Sequence, residues 1–168
     1  MRIPESRLKI LREHVRAESE HDMDALLDGM TADCFNDVVC VPQPFVGPAQ
    51  VAERYRKHWE GFPDFKVRVR RVLSVDQNCI VTENEWRGTH LGPFLGFPPT
   101  GKRVRVRALV AWHFREDKLW GETIFFDMGS ILQQLGGRAT VEPGQPAPQA
   151  ETVSTADAPL IGWGEPFA

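Results

Sequence analysis

A change of hydrophobic period at about residue 65 limits what this chain can fold into. From there to residue 127, apolar and polar side chains alternate, which is typical of strands whose two faces meet different surroundings. The alternation predicts strands at about 65–75, 79–90, 102–115 and 118–127. The connections at 76–78 and 116–117 are short, so we expect neighbouring strands to be antiparallel.

The N-terminal part of the chain has helical spacing instead. Leu8, Leu11 and Val15 recur at intervals of three and four residues, which predicts a helix over about 4–19. A second helix is expected after Asp22, which is its N-cap. A strand-like stretch follows at 34–41, and further helices are expected at 48–61, with Pro48 in the first turn, and at 128–135. Helices that precede an antiparallel meander give an α+β fold.

The length of 168 residues fits one domain, which we place at residues 1–137. Residues 138–168 are rich in proline and alanine, and we expect them to form a loose C-terminal tail. The apolar end of this tail, at 160–163, could dock on the domain or on a partner subunit.

Composition excludes several classes of protein. A net charge of −3 argues against nucleic-acid binding, which needs a basic surplus. No run of about 18 apolar residues predicts a membrane span, and the first residues lack the apolar segment of a secretory signal. The spacing of Cys34, Cys40 and Cys79 matches no zinc site, so we interpret them as reduced thiols in a cytoplasmic protein.

The predicted strands give the sheet two different faces. On the inner face Asn84 lies among apolar side chains, where it either bonds to a neighbour or contacts a substrate. On the outer face Glu83 and Glu85 lie between arginine-bearing strands, and we interpret them as solvated cross-strand ion pairs. Arg71 breaks the alternation, so either the strand bulges there or Arg71 enters the interior.

Asp127 lies where the last strand meets the last helix, and two roles are open to it. It could cap the helix, or it could act as an acid–base group in an apolar pocket. The sequence contains no phosphate-binding glycine loop, nucleophile elbow, Cys–His pairing or metal motif, which disfavours an ATPase, a serine hydrolase and a zinc enzyme. We expect His14, His21 and His113 to be exposed.

Three segments carry a family resemblance. Residues 62–65 are Phe-Pro-Asp-Phe, and residues 88–102 are Gly-Thr-His-Leu-Gly-Pro-Phe-Leu-Gly-Phe-Pro-Pro-Thr-Gly-Lys. Asp127 is followed by Leu-Gln-Gln-Leu-Gly at 132–136. Over about residues 5–137 the chain resembles the SnoaL-like polyketide cyclases of the nuclear-transport-factor-2-like superfamily.

The resemblance implies a fold and a chemistry. It implies a cone-shaped barrel, in which a curved antiparallel sheet wraps around N-terminal helices and leaves a deep apolar pocket, and it implies a homodimer. Cyclases of this family close a ring by intramolecular aldol condensation without metal or organic cofactor. Many members carry Glu-His-Trp before the final aspartate, where this chain has Gly-Glu-Thr at 121–123, so the pocket wall differs.

The resemblance and the residues together suggest a site. The acidic residue near the end of the last strand falls on Asp127, as general acid/base, and the family's Gly-Thr-His histidine falls on His90. We expect His90 and Asn84 to polarise or orient a substrate oxygen, and Asn36 to supply a further donor. The remaining substrate-binding side chains are predicted to be Trp59, Trp86, Trp112, Phe125 and Phe94.

Several functions fit this site. The leading hypothesis is a cofactor-free acid–base enzyme, a cyclase or isomerase, on a hydrophobic aromatic or polyketide-like carbonyl or hydroxy compound. A lyase or dehydratase would use the same proton transfers, and a non-catalytic binding or dimerisation module needs none. An epoxide hydrolase requires two pocket acids around an arginine, which Arg71, Asp127 and Asp37 could supply only with difficulty. Fold alone does not choose among them.

Overall fold

The computed structural model describes residues 3–137, which form four helices and six strands. The elements are α1 Glu5–Glu20, α2 Met23–Asp28, β1 Met30–Val38, β2 Phe45–Val46, α3 Pro48–Gly61, β3 Lys66–Val75, β4 Cys79–Thr89, β5 Arg103–Arg115, β6 Lys118–Phe126 and α4 Met128–Leu135. The predicted α+β plan is confirmed. The tail at 138–168 and its proposed docking lie outside the described residues.

The strands make one sheet in the order β2-β1-β6-β5-β4-β3. The meander from β3 to β6 is antiparallel, as its short connections predict. Strand β1 instead runs parallel to β6, which differs from the all-antiparallel sheet expected from the sequence. A parallel pair is possible here because α3 and four strands separate β1 from β6 in the chain. The sheet is curved and, within residues 3–137, is not closed.

Helix ends and one bulge follow the local sequence rules. Asp22 caps α2, since its side chain accepts a hydrogen bond of 3.1 Å from the Ala25 amide. Helix α1 ends where His21 takes a left-handed conformation with φ of 61°. In β3 the register shifts between Val69 and Arg71, so the bulge is the correct alternative and the Arg71 side chain remains outside.

The outer face has the expected ion pairs, but the two carboxylates in them are shielded from solvent. Glu83 and Glu85 are buried, with 4% and 7% of their surface exposed. Arg71 donates to Glu83 at 2.6 Å, and Arg107 covers the same carboxylate. Glu85 accepts hydrogen bonds of 2.7 to 2.9 Å from Arg68, Arg70 and Arg105. The long arginine side chains lie over the shorter carboxylates and exclude solvent from them.

The inner face of the sheet and the helices enclose the core. One apolar cluster joins α1, α2 and α3 to the sheet and includes Leu11, Leu26, Tyr55 and Trp112. A second cluster includes Phe65 and Trp86 on the sheet side and residues of α4. Members of both clusters also line a cavity, so the packing that stabilises the fold shapes an internal space.

Candidate active site

A cavity of about 440 Å³ lies against the inner face of the sheet. Its volume is within the range of pockets that hold small organic ligands. The apolar lining includes Val38, Phe45, Phe65, Trp86, Trp112 and Ile124. The polar lining includes Glu18, Arg54, His58, Asn84 and Glu122, together with the exposed Lys57 and Glu60. A largely apolar space with a few convergent polar groups is typical of a ligand-binding site.

Glu122 of β6 lies in a buried cluster with side chains of two helices. His14 Nε2 of α1 is 2.8 Å from Glu122 Oε1, and both side chains have 2% of their surface exposed. The hydroxyl of Tyr55 on α3 donates to the same carboxylate oxygen at 3.0 Å. Glu122 is thus held by side chains of both α1 and α3.

The His14–Glu122 contact is a buried ion pair. Burial opposes ionisation of Glu122, but the charge and hydrogen bond of His14, with Arg54 and Tyr55, hold its pKa below the ordinary value. Burial likewise opposes protonation of His14, and the Glu122 carboxylate raises the pKa of His14 above its ordinary value. The contact therefore favours the charged form of each partner, imidazolium for His14 and carboxylate for Glu122.

Glu18 presents a second carboxyl group to the cavity. It lies one helical turn after His14 on α1, so both side chains project from the same face. Among the described residues it forms no hydrogen bond or close ion pair. Burial, and then the negative charge of Glu122, raise the pKa of Glu18 to about 7, although His14 and Arg54 act in the opposite direction.

The raised pKa of Glu18 predicts a pH-dependent stability. Between about pH 4.5 and pH 7 the folded protein holds a proton at Glu18 that the unfolded chain releases, so this contribution to stability falls as pH rises. We expect Glu18→Gln to be more stable than the wild type by up to about 3 kcal/mol at pH 8.5, and to differ little at pH 4.5. Urea denaturation at the two pH values measures the difference.

Glu13→Gln is a matched control for this experiment. Glu13 is an exposed residue of the same helix, so its substitution should give no stabilisation at alkaline pH. An equal effect of Glu18→Gln at both pH values would contradict the assignment of a raised pKa to Glu18.

A chain of hydrogen bonds fixes the orientation of Asn84. The indole N–H of Trp112 donates to Thr82 Oγ1 at 2.7 Å, and the Thr82 hydroxyl donates to Asn84 Oδ1 at 2.6 Å. An indole nitrogen can only donate, so the direction of the chain is determined. The Asn84 amide oxygen is therefore occupied, and its NH₂ group remains a donor on a residue that lines the cavity.

Two basic side chains of α3 lie one turn apart and complete the polar lining. His58 has aromatic neighbours, with ring centroids of Phe65 and Trp86 at 4.8 and 5.1 Å. Burial, then the charges of Arg54 and His21, lower the pKa of His58 well below its ordinary value, so it is neutral at pH 7. Arg54 carries a positive charge within the coulombic range of Glu18 and Glu122.

The structure brings four of the predicted site residues to the cavity, namely Asn84, Trp86, Trp112 and Phe94. His90 is buried behind it, with Nδ1 at 3.0 Å from Thr100 Oγ1 in the loop. Trp59 stacks on His21 at a centroid distance of 4.7 Å. Asn36 is fully buried on β1 opposite Glu122, and its amide has no hydrogen-bond partner among the described residues.

Asp127 and Phe125 are not among the residues that line the cavity. Asp127 is exposed at the N-cap of α4, where its side chain makes no capping hydrogen bond. Phe125 is 48% exposed on the outer face. The expected inward parity of these residues with Leu119 fails because the β5–β6 register shifts between His113 and Phe114. Beyond that bulge the even-numbered positions of β6, including Glu122, face inward.

The sequence analysis missed the ionisable residues that do line the cavity. It placed His14 among exposed histidines, whereas 3% of His14 is exposed; His21 and His113 are partly buried. One signal was available: His14 and Glu18 continue the apolar stripe of α1 that contains Leu11. Within residues 3–137, no three His, Cys, Asp or Glu side chains are arranged to hold a metal ion, and no helix is long and apolar enough to span a membrane.

Comparison with known proteins gives one family match. The family model described as SnoaL-like polyketide cyclase matches residues 9–135. A search of curated proteins returns no match.

Solved structures share the fold at low sequence identity. A proposed SnoaL-like polyketide cyclase from Jannaschia sp. CCS1 is 22% identical with a TM-score of 0.74, and the alignment covers 82% of this chain and 98% of that one. AclR, a proposed hydroxylase from Streptomyces galilaeus, is 21% identical with a TM-score of 0.68 and coverages of 82% and 85%. IdmH, a proposed polyketide cyclase from Streptomyces antibioticus, is 20% identical with a TM-score of 0.64 and coverages of 76% and 96%.

Proposed function

Because this chain belongs to the SnoaL-like polyketide cyclase family, we propose that it is a cofactor-free acid–base enzyme acting on a hydrophobic, aromatic or polyketide-like carbonyl compound. The observation that carries the proposal is the free carboxyl group of Glu18, which faces an apolar cavity with a pKa of about 7. An acid–base group is most effective when its pKa lies near the working pH, because both of its protonation states are then accessible. Asp127, the candidate from the sequence, remains a prediction that the same experiments test.

The first step that this arrangement supports is removal of a proton from carbon. The Glu18 carboxylate takes the proton next to a substrate carbonyl, and the electron pair moves onto the carbonyl oxygen. The Asn84 NH₂ group donates a hydrogen bond to that oxygen as negative charge develops there. The hydrogen-bond chain from Trp112 holds this donor in place before the substrate enters, so little reorganisation is needed during the reaction.

The second step closes the ring. The enolate carbon forms a bond to a second carbonyl carbon of the same molecule, and the new alkoxide takes the proton back from Glu18. The proton returns and no electron acceptor is needed, which makes the reaction an aldol cyclisation. In the reverse direction the same groups cleave a carbon–carbon bond, and loss of a β-hydroxyl gives a dehydratase.

Glu122, His14 and Tyr55 support this chemistry through Glu18. They form a rigid buried cluster, and the Glu122 carboxylate disfavours a second negative charge nearby. Glu122 is ionised and Glu18 is balanced between its two forms, so the two carboxyl groups have different roles. Such a separation of two neighbouring pKa values is the usual way in which one site obtains an acid–base group at neutral pH.

Exchange of the α-protons of 2-tetralone for deuterium tests the proposed proton transfer. This bicyclic ketone needs only the first step, so the natural substrate is not required. We expect the protein to accelerate exchange, with a rate that rises with pH and levels off above about pH 7, because Glu18 must be ionised to take the proton. The rate at pH 6 should be about tenfold below the plateau. Proton NMR in deuterated buffer follows the exchange.

Saturable binding of 2-tetralone without accelerated exchange would contradict the enzymatic proposal. That result would favour the alternative of a non-catalytic binding module, since the cavity would then hold a ligand without moving its protons. Acceleration with no inflection near pH 7 would show that a group other than Glu18 takes the proton.

A second candidate function is supported by a different set of side chains. Glu18, Arg54 and Glu122 line one cavity, which supplies the two acids and the arginine that an epoxide hydrolase needs. Glu122 would take a proton from water as the water oxygen bonds to an epoxide carbon. Glu18, in its protonated form, would donate its proton to the leaving oxygen and give a diol. Hydrolysis of styrene oxide without exchange of 2-tetralone would favour this candidate over the first.

We also propose that the protein acts as a homodimer in the cytoplasm. The support for a dimer is the outer sheet face, where the paired residues Leu109 and Phe125 are 45% and 48% exposed. Large apolar side chains on one face are typical of a surface that a partner covers.

A further inference from the structure

Arg54 has a position that the acid–base mechanism does not explain. It lies on α3 one turn before His58 and lines the cavity. Its guanidinium carbon is 4.6 Å from the centre of the Tyr55 ring. Its Nη1 atom is buried and has no hydrogen-bond partner among residues 3–137. A buried guanidinium nitrogen without an acceptor is unfavourable in the absence of a ligand.

The surrounding charges do not cancel the charge of Arg54. His14 and Glu122 form an ion pair with each other, so that pair contributes little net charge. Glu18 carries only part of a negative charge near neutral pH. Neither Glu18 nor Glu122 is within ion-pair distance of Arg54 among the contacts of the described residues. The interior of the cavity therefore has one uncompensated positive charge when Glu18 is protonated.

We propose that Arg54 binds a carboxylate group of the substrate, so that the substrate class is an aromatic or polyketide-like acid and not only a neutral carbonyl compound. The inference rests on the proposed function, because it assigns the second end of the molecule whose reacting carbonyl lies at Glu18 and Asn84. A planar guanidinium matches a carboxylate through two parallel hydrogen bonds. The apolar lining, including Phe65, Trp86 and Trp112, holds the aromatic part of the molecule.

Binding of such an acid has a consequence for Glu18. The groups that face Glu18 are His14 on its own helix, Arg54 and Tyr55 on α3, and Glu122 on β6. A carboxylate on Arg54 neutralises one of the two positive charges that favour ionised Glu18. Binding at pH 7.5 should therefore be accompanied by proton uptake, and Glu18→Gln should bind the acid without that uptake.

The test compares two probes with the same aromatic ring system, the anion 2-naphthoate and its uncharged methyl ester. The wild type should bind 2-naphthoate at least about tenfold more tightly, as expected for a hydrogen bond between charged groups in a buried site. Arg54→Gln should weaken binding of 2-naphthoate by about 10- to 100-fold and that of the ester by less than about threefold. Arg56→Gln is the matched control, because Arg56 is exposed on the same helix and does not line the cavity. Isothermal titration calorimetry in two buffers of different ionisation enthalpy gives both affinity and proton uptake.

Each outcome bears on one proposal. Equal affinity of the wild type for acid and ester would overturn the inference about Arg54 and leave the acid–base function standing, and this comparison needs no variant. An equal loss of affinity for both probes in Arg54→Gln would show a structural role for Arg54 and would also overturn the inference. Failure of both probes to bind the wild type would overturn the inference, and the exchange of 2-tetralone would decide separately whether the acid–base function stands.

Discussion

Glu18→Gln should slow α-proton exchange of 2-tetralone by about 10²- to 10⁴-fold, the range that a positioned acid–base group contributes. Glutamine has the size and shape of glutamate and can donate and accept hydrogen bonds, but its amide cannot take a proton from carbon. The burial that raises the pKa of Glu18 is caused by the surrounding cavity and should be the same in the variant. A loss of this size, with binding of the probe preserved, would assign the proton transfer to Glu18.

Two further variants make this result specific. Glu13→Gln changes an exposed glutamate of the same helix and should leave the rate unchanged. Asp127→Asn changes the candidate from the sequence, which the structure places at the exposed start of α4, and we expect less than about a threefold effect. If Asp127→Asn abolished exchange and Glu18→Gln did not, Asp127 would be the acid–base residue and our assignment would be wrong. Because Glu18→Gln is expected to stabilise the fold above pH 7, unfolding would not explain its loss of activity.

His14→Gln should destabilise the protein by about 3–5 kcal/mol at pH 6. The variant removes the positive charge 2.8 Å from Glu122 and leaves a carboxylate with 2% of its side-chain surface exposed. Tyr55 still donates to that carboxylate, but one neutral hydrogen bond does not replace a buried counter-charge. Urea denaturation monitored by tryptophan fluorescence measures the change in the free energy of unfolding.

The double variant His14→Gln/Glu122→Gln separates the charge from the packing. It removes both charges and retains two side chains that can hydrogen-bond, so it should regain a large part of the lost stability. Additive effects of the two substitutions would contradict the assignment of a buried ion pair, because groups that interact directly give non-additive changes. A free energy of unfolding of His14→Gln within about 1 kcal/mol of the wild type would also contradict the assignment, since an uncompensated buried charge should cost more.

The pH range of this stabilisation follows from the two pKa shifts. The contribution of Glu122 is present above the unfolded pKa of about 4.5 and is lost as pH falls through its lower folded pKa. The contribution of His14 is present below the unfolded pKa of about 6.5 and is lost as pH rises through its higher folded pKa. The cost of His14→Gln should therefore be largest between about pH 4.5 and 6.5 and fall as pH rises through the folded pKa of His14.

Local sequence rules predicted much of the fold. The two-residue period after residue 65 gave the meander, because alternate side chains of a strand must face opposite sides of the sheet. The same rule placed Asn84 and Trp86 on the inner face, and both line the cavity. The parallel pairing of β1 with β6 could not be predicted from local spacing, because that spacing does not determine which distant strand will pair with β1.

The candidate acid–base group required information that is not local. In the sequence Glu18 is one of several charged residues in an amphipathic helix, and only its place on the stripe that contains Leu11 separates it from the exposed Glu13 and Glu20. Its environment is created by Tyr55 and Arg54 of α3 and by Glu122 of β6, which are separated from it by 36 to 104 positions. The bulge that turns Glu122 inward depends on the pairing of β6 with β5, and Gly121 beside it is only a weak local signal.

The sequence by itself therefore determined the order and type of the elements other than the two-residue strand β2, the apolar inner face of the sheet and the family. These properties depend on residues close together in the chain, whose spacing determines which face of a helix or strand they share. Only the tertiary structure decided which charged groups meet in the cavity, because solvation and pKa depend on distances between elements that the fold brings together. The buried pair His14–Glu122 belongs to this second kind, as do the Glu18 carboxyl and the Arg54 Nη1 atom, which have no hydrogen-bond partner within residues 3–137.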